Sequence, residues 1–189
     1  FMNLKYIGLI VVPMITLGIA GIVLIISMQD YIWLIATFLF WIFLSGFGIA
    51  TGFHRIYSHQ CYRPKLWLDN FLLICGTFAC QSSSITWVAT HMGYHHPYSD
   101  TEKDPHTPRK GLWHSFLGWT MYVTSSTVNH KYAIRLLRKS NHVFFHKHYF
   151  KIIWISVLIA ALINWKLVLF GYCIAAMISI LQDNLVNIL

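Results

Sequence analysis

The chain carries 11 histidines, all between His54 and His148, and none lies in the long apolar runs on either side. Five form two tight groups, His54/His59 and His91/His95/His96. Imidazole nitrogen is a good ligand for iron, zinc, copper and nickel. On a helix, residues four apart share a face. One turn through His91, His95 and His96 can therefore aim three imidazoles at one region, serving one metal or two. His54 and His59 stand at the end of an apolar run, so both can face inward if that helix continues past the run. The acids narrow the chemistry. Glu102 is the only glutamate. A carboxylate-bridged di-iron bundle takes several Glu and Glu-x-x-His pairs, so that chemistry is excluded. The zinc-protease pattern His-Glu-x-x-His is absent as well. A metal centre built from this sequence must be nitrogen-rich. His114, His130, His142, His146 and His148 read as surface or hydrogen-bonded residues, and His106, in Asp104-Pro105-His106, is intermediate.

The elements that position these groups are apolar. The chain has 189 residues, of which 57% are hydrophobic and 11% charged, and its mean hydropathy is +0.56. Soluble domains are roughly 45–50% apolar and about 25% charged, so the composition is that of an integral membrane protein. The expected architecture is an all-α membrane protein, a single domain over residues 1–189. Four transmembrane helices, at about 6–27, 31–53, 147–164 and 167–189, form two hairpins. Gln29-Asp30 and Asn164-Trp165-Lys166 make the turns, and a His-rich helical cap at 54–146 lies between the hairpins. The uncharged run Tyr6–Ser27 is 22 residues long. As a helix it rises about 33 Å, enough to cross a hydrocarbon core of roughly 30 Å, and it is longer than a signal-peptide core. Within the cap, Trp67–Ala79 is apolar but short, which suits an interfacial or protein-buried helix. Tyr98–Gly111 reads as a loop.

The formal net charge is +8, and twelve of the 14 Lys/Arg residues lie between Arg55 and Lys151. The positive-inside bias then puts the cap on the cytoplasmic side of a bacterial inner membrane or of the endoplasmic reticulum. Basic segments also mark nucleic-acid binders, but the flanking apolar runs favour the membrane reading, and no nucleic-acid partner is expected. The four cysteines form no Cys-x-x-Cys pair and read as reduced, apolar packing.

Two stretches resemble the membrane fatty-acyl desaturases of the stearoyl-CoA (delta-9) type. Residues Gly48-Ile49-Ala50-Thr51-Gly52-Phe53-His54-Arg55-Ile56-Tyr57-Ser58-His59-Gln60-Cys61-Tyr62 are similar to the first box of that family, a glycine-containing helix end followed by His-Arg-x-x-Ser-His. Residues Trp87-Val88-Ala89-Thr90-His91-Met92-Gly93-Tyr94-His95-His96, with Tyr98-Ser99-Asp100 and Asp104-Pro105-His106, are similar to the second box, its preceding Trp and its trailing Asp-Pro-His. Gly111-Leu112-Trp113 and Gly118-Trp119 echo the segment that follows.

The resemblance implies an oxygen-dependent desaturase that places a cis double bond in a long-chain acyl substrate at a histidine-ligated pair of irons. By it, His54, His59, His91, His95 and His96 are metal ligands, with Asn187 close to the second iron. Gln81 and Trp87 line the acyl tunnel. The implied partners are an acyl-CoA, acyl-ACP or lipid substrate and an electron donor such as cytochrome b5 or a ferredoxin. The basic residues Lys131, Arg135, Arg138 and Lys139 are candidates for holding an acidic carrier, an acyl headgroup or lipid headgroups. Ala89-Thr90 stands where animal enzymes have an Arg-Asp that helps hold coenzyme A. The second box has three residues between its first two histidines, where delta-9 enzymes usually have two. The third box, His-x-x-His-His, has no counterpart before Leu189, so the resemblance implies a chain truncated at its C-terminus. Two other classes fit parts of the pattern: a hydroxylase of the same histidine-box superfamily, acting on alkanes, fatty acids or carotenoids, and a metal transporter with a His-rich loop.

Overall fold

A computed structural model of the protein describes residues 4–99, 101–123 and 128–186. Among the described residues the regular structure is helical, with no strand. Three helical segments are long and apolar enough to cross a membrane: Leu4–Met28 (α1), Trp33–Ser58 (α2) and Tyr149–Val186. Their outward faces suit lipid, since Phe38 on α2 is 57% exposed and Leu162 and Ile163 on the third segment are 81% and 82% exposed. No polar solvent would favour so large an apolar surface.

The third segment is longer than one crossing needs. Its backbone leaves the helical region at Asn164 (φ −151°, ψ 92°), and the Asn164 Oδ1 accepts the Leu167 N–H at 3.0 Å. That side chain satisfies one of the orphan donors of a new helix start. The segment is thus divided into Tyr149–Lys166 (α6) and residues 167–186 (α7), with α5 (Ser140–Lys147) preceding it. The ends of α6 and α7 meet one turn of the cap: Tyr149 Oη accepts the Ser82 N–H at 3.0 Å, and Gln81 donates to Asp183. At the break, Lys166 Nζ reaches Asp30 Oδ2 at 2.6 Å.

Polar rungs tie these elements together. Thr37 Oγ1 donates to the Phe170 carbonyl at 2.6 Å, Trp41 Nε1 to Gln182 Oε1 at 2.7 Å, and Ser45 Oγ to Ser179 Oγ at 2.9 Å, all between α2 and α7. Trp154 Nε1 on α6 donates to the Leu9 carbonyl on α1 at 2.7 Å. In an apolar surrounding such bonds leave few polar groups unsatisfied.

The cap rests on α3 (Leu66–Phe78) and α4 (residues 84–98). α3 has 13 residues, too few to cross a bilayer. Leu72 and Leu73 are buried, while Leu66 and Trp67 are exposed. It packs against α2 at two glycines: a Cβ on Gly48 would lie 2.6 Å from the backbone at Cys75 and Gly76, and one on Gly76 would lie 2.2 Å from the Phe53 ring. The backbones approach closely because neither glycine has a side chain.

Behind α4 lies a buried polar network. Asp69 on α3 accepts from Lys139 Nζ at 2.9 Å and faces His142 Nε2 at 3.4 Å. His142 Nδ1 pairs with Ser84 Oγ at 2.9 Å. Burial alone would raise the Asp69 carboxyl, but the bonds from His142 and Lys139 outweigh it and hold the group well below the usual carboxylate range. This network anchors α5 to α3 and α4, and it accounts for His142 as the hydrogen-bonded residue expected from the sequence.

Candidate metal centre

The first histidine pair is set by unusual winding. Over Ile42–Ser58 the end of α2 is a π-helix. The His59 N–H donates to the His54 carbonyl, five residues back, at 3.0 Å. In α4 a π-turn covers His91–His95, and the His96 N–H donates to the His91 carbonyl. In a π-turn, residues five apart stack one above the other, as residues four apart do in an α-helix. His54/His59 and His91/His96 are therefore the stacked pairs, and His95 is turned aside.

The two stacked pairs meet. The Nε2–Nε2 separations are 3.1 Å for His54–His59, 3.4 Å for His59–His91 and 3.0 Å for His91–His96. One ligand atom from each of the four rings lies within 4.8 Å of the others. A neutral imidazole nitrogen offers one directional site, either one N–H or one lone pair. The Nε2 atoms of His59 and His91 each face two partners, which pairwise hydrogen bonding cannot satisfy. A single cation can. With metal–nitrogen distances of about 2.1 Å, neighbouring ligand nitrogens fall about 3.0 Å apart at right angles and about 3.4 Å apart in a tetrahedron. The donor set thus fits a first-row metal ion.

Electrostatics act in the same direction. Burial, and then the neighbouring imidazoles, push His91 down to about 2 and lower His96 as well. The neutral ring is the metal-binding form. The Trp87 indole lies 4.7 Å from the His91 ring, centroid to centroid, and 6.3 Å from His54, closing the inner side of the group.

His95 joins a second group with Asp104 and His106. Its Nδ1 lies 2.9 Å from Asp104 Oδ2, and its ring is 4.3 Å from that of His106. His106 is buried, and burial pushes it down to about 4, against the raising effect of Asp104. The Asp104-Pro105-His106 motif was visible in the sequence, but its role as the partner of His95 was not. Asn187 lies outside the described residues.

A cavity of about 930 Å³ opens along this wall. His54, His91, His95, Gln81 and Trp87 all line it, with Ile49, Ala50 and Phe150 among its apolar walls. Gln81 is aimed into the cavity by a turn in which its neighbours Cys80 and Ser82 take left-handed φ values of 62° and 79°. It bonds Asp183 and, at 3.2 Å, the Ser179 carbonyl. Asp183 and Asn184 line the cavity as well, and neither was singled out as a site residue from the sequence. Of the four basic residues that are candidates for holding a carrier or a headgroup, Arg135 bonds the Tyr57 carbonyl at 3.0 Å and Lys139 bonds Asp69.

No protein-family model matches the chain. Curated proteins do match it. It is 37% identical over 139 residues to the sn-1 stearoyl-lipid 9-desaturase of Anabaena variabilis, covering 72% of this chain and 50% of that protein. It is 32% identical over 164 residues to the stearoyl-CoA desaturase of Homo sapiens, covering 84% of this chain and 45% of that protein. It is 42% identical over 83 residues to delta-9 acyl-lipid desaturase 2 of Arabidopsis thaliana, covering 44% of this chain and 26% of that protein. The chain spans about half the length of the first and second of these relatives. Similarity of this extent to both lipid-linked and coenzyme A-linked enzymes shows that the chain belongs to the delta-9 type of the membrane fatty-acyl desaturases.

Proposed function

We propose that the whole protein desaturates a long-chain fatty acyl substrate, placing a cis double bond by means of two irons and O2. The observation that carries this reading is the convergence of four imidazole Nε2 atoms on one point in the wall of a largely apolar cavity. His54, His59, His91 and His96 would hold one ion, and His95 would face the second, with Asn187 near it. When bound, the reduced irons and O2 supply an oxidant strong enough to take hydrogen from an unactivated methylene.

The chain's own residues do the placing. The cavity takes the acyl chain out of water along Ile49, Ala50 and Phe150. Trp87 forms the wall between the chain and His91. Gln81, held by Asp183 and Ser179, fixes one side of the path, so that a single C–C bond lies against the histidines. The substrate arrives on coenzyme A, acyl carrier protein or a lipid, and the electrons come from cytochrome b5 or a ferredoxin.

The same reading gives the architecture: one domain with four spans in two hairpins, all returning to the histidine cap on the cytoplasmic face. The break at Asn164 and the Lys166–Asp30 pair support it, because they bring the two turns together at the end opposite the cap. Replacing His91 with Ala in the complete protein should abolish iron binding at the four-histidine group and alkene formation. Mass spectrometry distinguishes loss of two hydrogens from gain of one oxygen. Retained iron and product would overturn the ligand assignment, and a hydroxylated product would overturn desaturation.

A further inference from the structure

Asp104 is 3% exposed in a charged, loop-rich part of the cap. Its two oxygens are divided. Oδ2 meets His95 Nδ1 at 2.9 Å, and Oδ1 accepts the His106 N–H at 3.2 Å while facing His106 Nδ1 at 3.7 Å. A carboxylate only accepts hydrogen bonds, so His95 Nδ1 must carry a proton. The lone pair of a neutral His95 is then on Nε2, and its ring lines the cavity. His106 packs over His95, and Trp119 supports His106 at 5.3 Å between centroids while donating to Asn184 Oδ1 at 2.8 Å. The His91 and His96 rings look into the other group. Winding alone frees His95 from the four-histidine group but does not choose its rotamer or its tautomer. Asp104 does both.

We propose that Asp104 is a positioning residue: it locks His95 as the Nδ1–H tautomer, with Nε2 presented to the cavity as the first nitrogen of a second metal position. This rests on the metal-centre reading for its second half only. The rival role, Asp104 as a direct ligand, would turn Oδ2 away from His95 when metal binds.

The test uses the full chain in detergent micelles, labelled with 15N at histidine, with His95 signals assigned by their loss in His95→Gln. In the metal-free protein His95 should be the Nδ1–H tautomer, and in Asp104→Ala it should revert to the Nε2–H form that free imidazole prefers. On titration with zinc alone, His95 Nε2 should take the shift of a ligated nitrogen while the Nδ1–H signal persists. Asp104→Asn, which keeps the volume and one acceptor, should weaken that zinc step roughly 10–100-fold, the range typical of lost orienting partners. It should leave zinc binding by His54, His59, His91 and His96 unchanged. An Nε2–H tautomer in the wild type, an unchanged tautomer in Asp104→Ala, or loss of the Nδ1–H signal when zinc binds would each overturn the proposal. Absence of zinc from all five histidines would sink the metal-centre reading instead, and the tautomer measurement in the metal-free protein would still decide the role of Asp104.

Discussion

His91 and His96 are joined twice: the amide of His96 donates to the carbonyl of His91, and their Nε2 atoms stand 3.0 Å apart. In an ordinary α-helix two residues five positions apart point about 140° away from each other. The π-turn removes that divergence. It also explains how a second box with three intervening residues still delivers two nitrogens to one point and a third elsewhere.

An alanine inserted between Met92 and Gly93 should therefore separate the pair. The insertion turns His95 and His96 by roughly 100° relative to His91. Zinc affinity of the four-histidine group, measured by competition with a chromophoric chelator, should fall at least about 100-fold while helical circular dichroism is kept. Unchanged affinity would show that the winding is not what pairs them.

The glycine contact between α2 and α3 should be intolerant of a side chain. Gly48→Ala places a methyl group against backbone at Cys75 and Gly76, which cannot retreat as a side-chain tip does. Overpacking of this kind costs about 1–3 kcal/mol. Gly46→Ala, whose nearest neighbour would be Ile42 at 3.9 Å, should be neutral or stabilising by up to about 1 kcal/mol. Thermal unfolding in detergent compares the two, and equal melting temperatures would count against the close crossing.

Acid should loosen the cap through Asp69 and His142. The Asp69 carboxyl is held below its ordinary 3.8 in spite of burial, so its stabilisation is complete above that value and is lost as pH falls through the folded value. His142 is lowered from 6.5 by burial, so folding favours its neutral ring and stability declines as pH falls below 6.5. The two effects add in the same direction. Asp69→Asn should cost about 2 kcal/mol at pH 7, the scale of hydrogen bonds to a charged group. Its deficit relative to wild type should shrink as pH approaches 3. A deficit constant across that range would remove Asp69 from the acid response.

The pair Lys166–Asp30 reports on how the apolar segments lie. A double-mutant cycle with Lys166→Ala and Asp30→Ala should give a coupling of up to about 1 kcal/mol. The charge-exchanged protein, Asp30→Lys with Lys166→Asp, should recover most of it. Zero coupling would argue against the two turns meeting at one face.

The sequence alone determined a good deal. Apolar runs long enough to span a bilayer, the confinement of all histidines to the segment between them, and the shortage of glutamate are all local or compositional properties. They specify a helical membrane protein and point to a nitrogen-rich metal site before any contact is known. The motifs around His54 and His91 carried the family likeness, and Gln81 and Trp87 followed from their places in it. What the sequence did not decide was which imidazole goes with which. Spacing on an assumed α-helix brings His91 and His95 together, but hydrogen bonds that skip five residues pair His91 with His96 and release His95 to Asp104. Nor does any local pattern bring His59 to His91, 32 residues on, or Asp69 to His142, 73 residues on. Those meetings depend on how closely two helices cross at Gly48 and Gly76 and on where the helix breaks at Asn164. Such distances are fixed only when the whole set of helices packs, because the free energy that selects them comes from surfaces far apart in the chain.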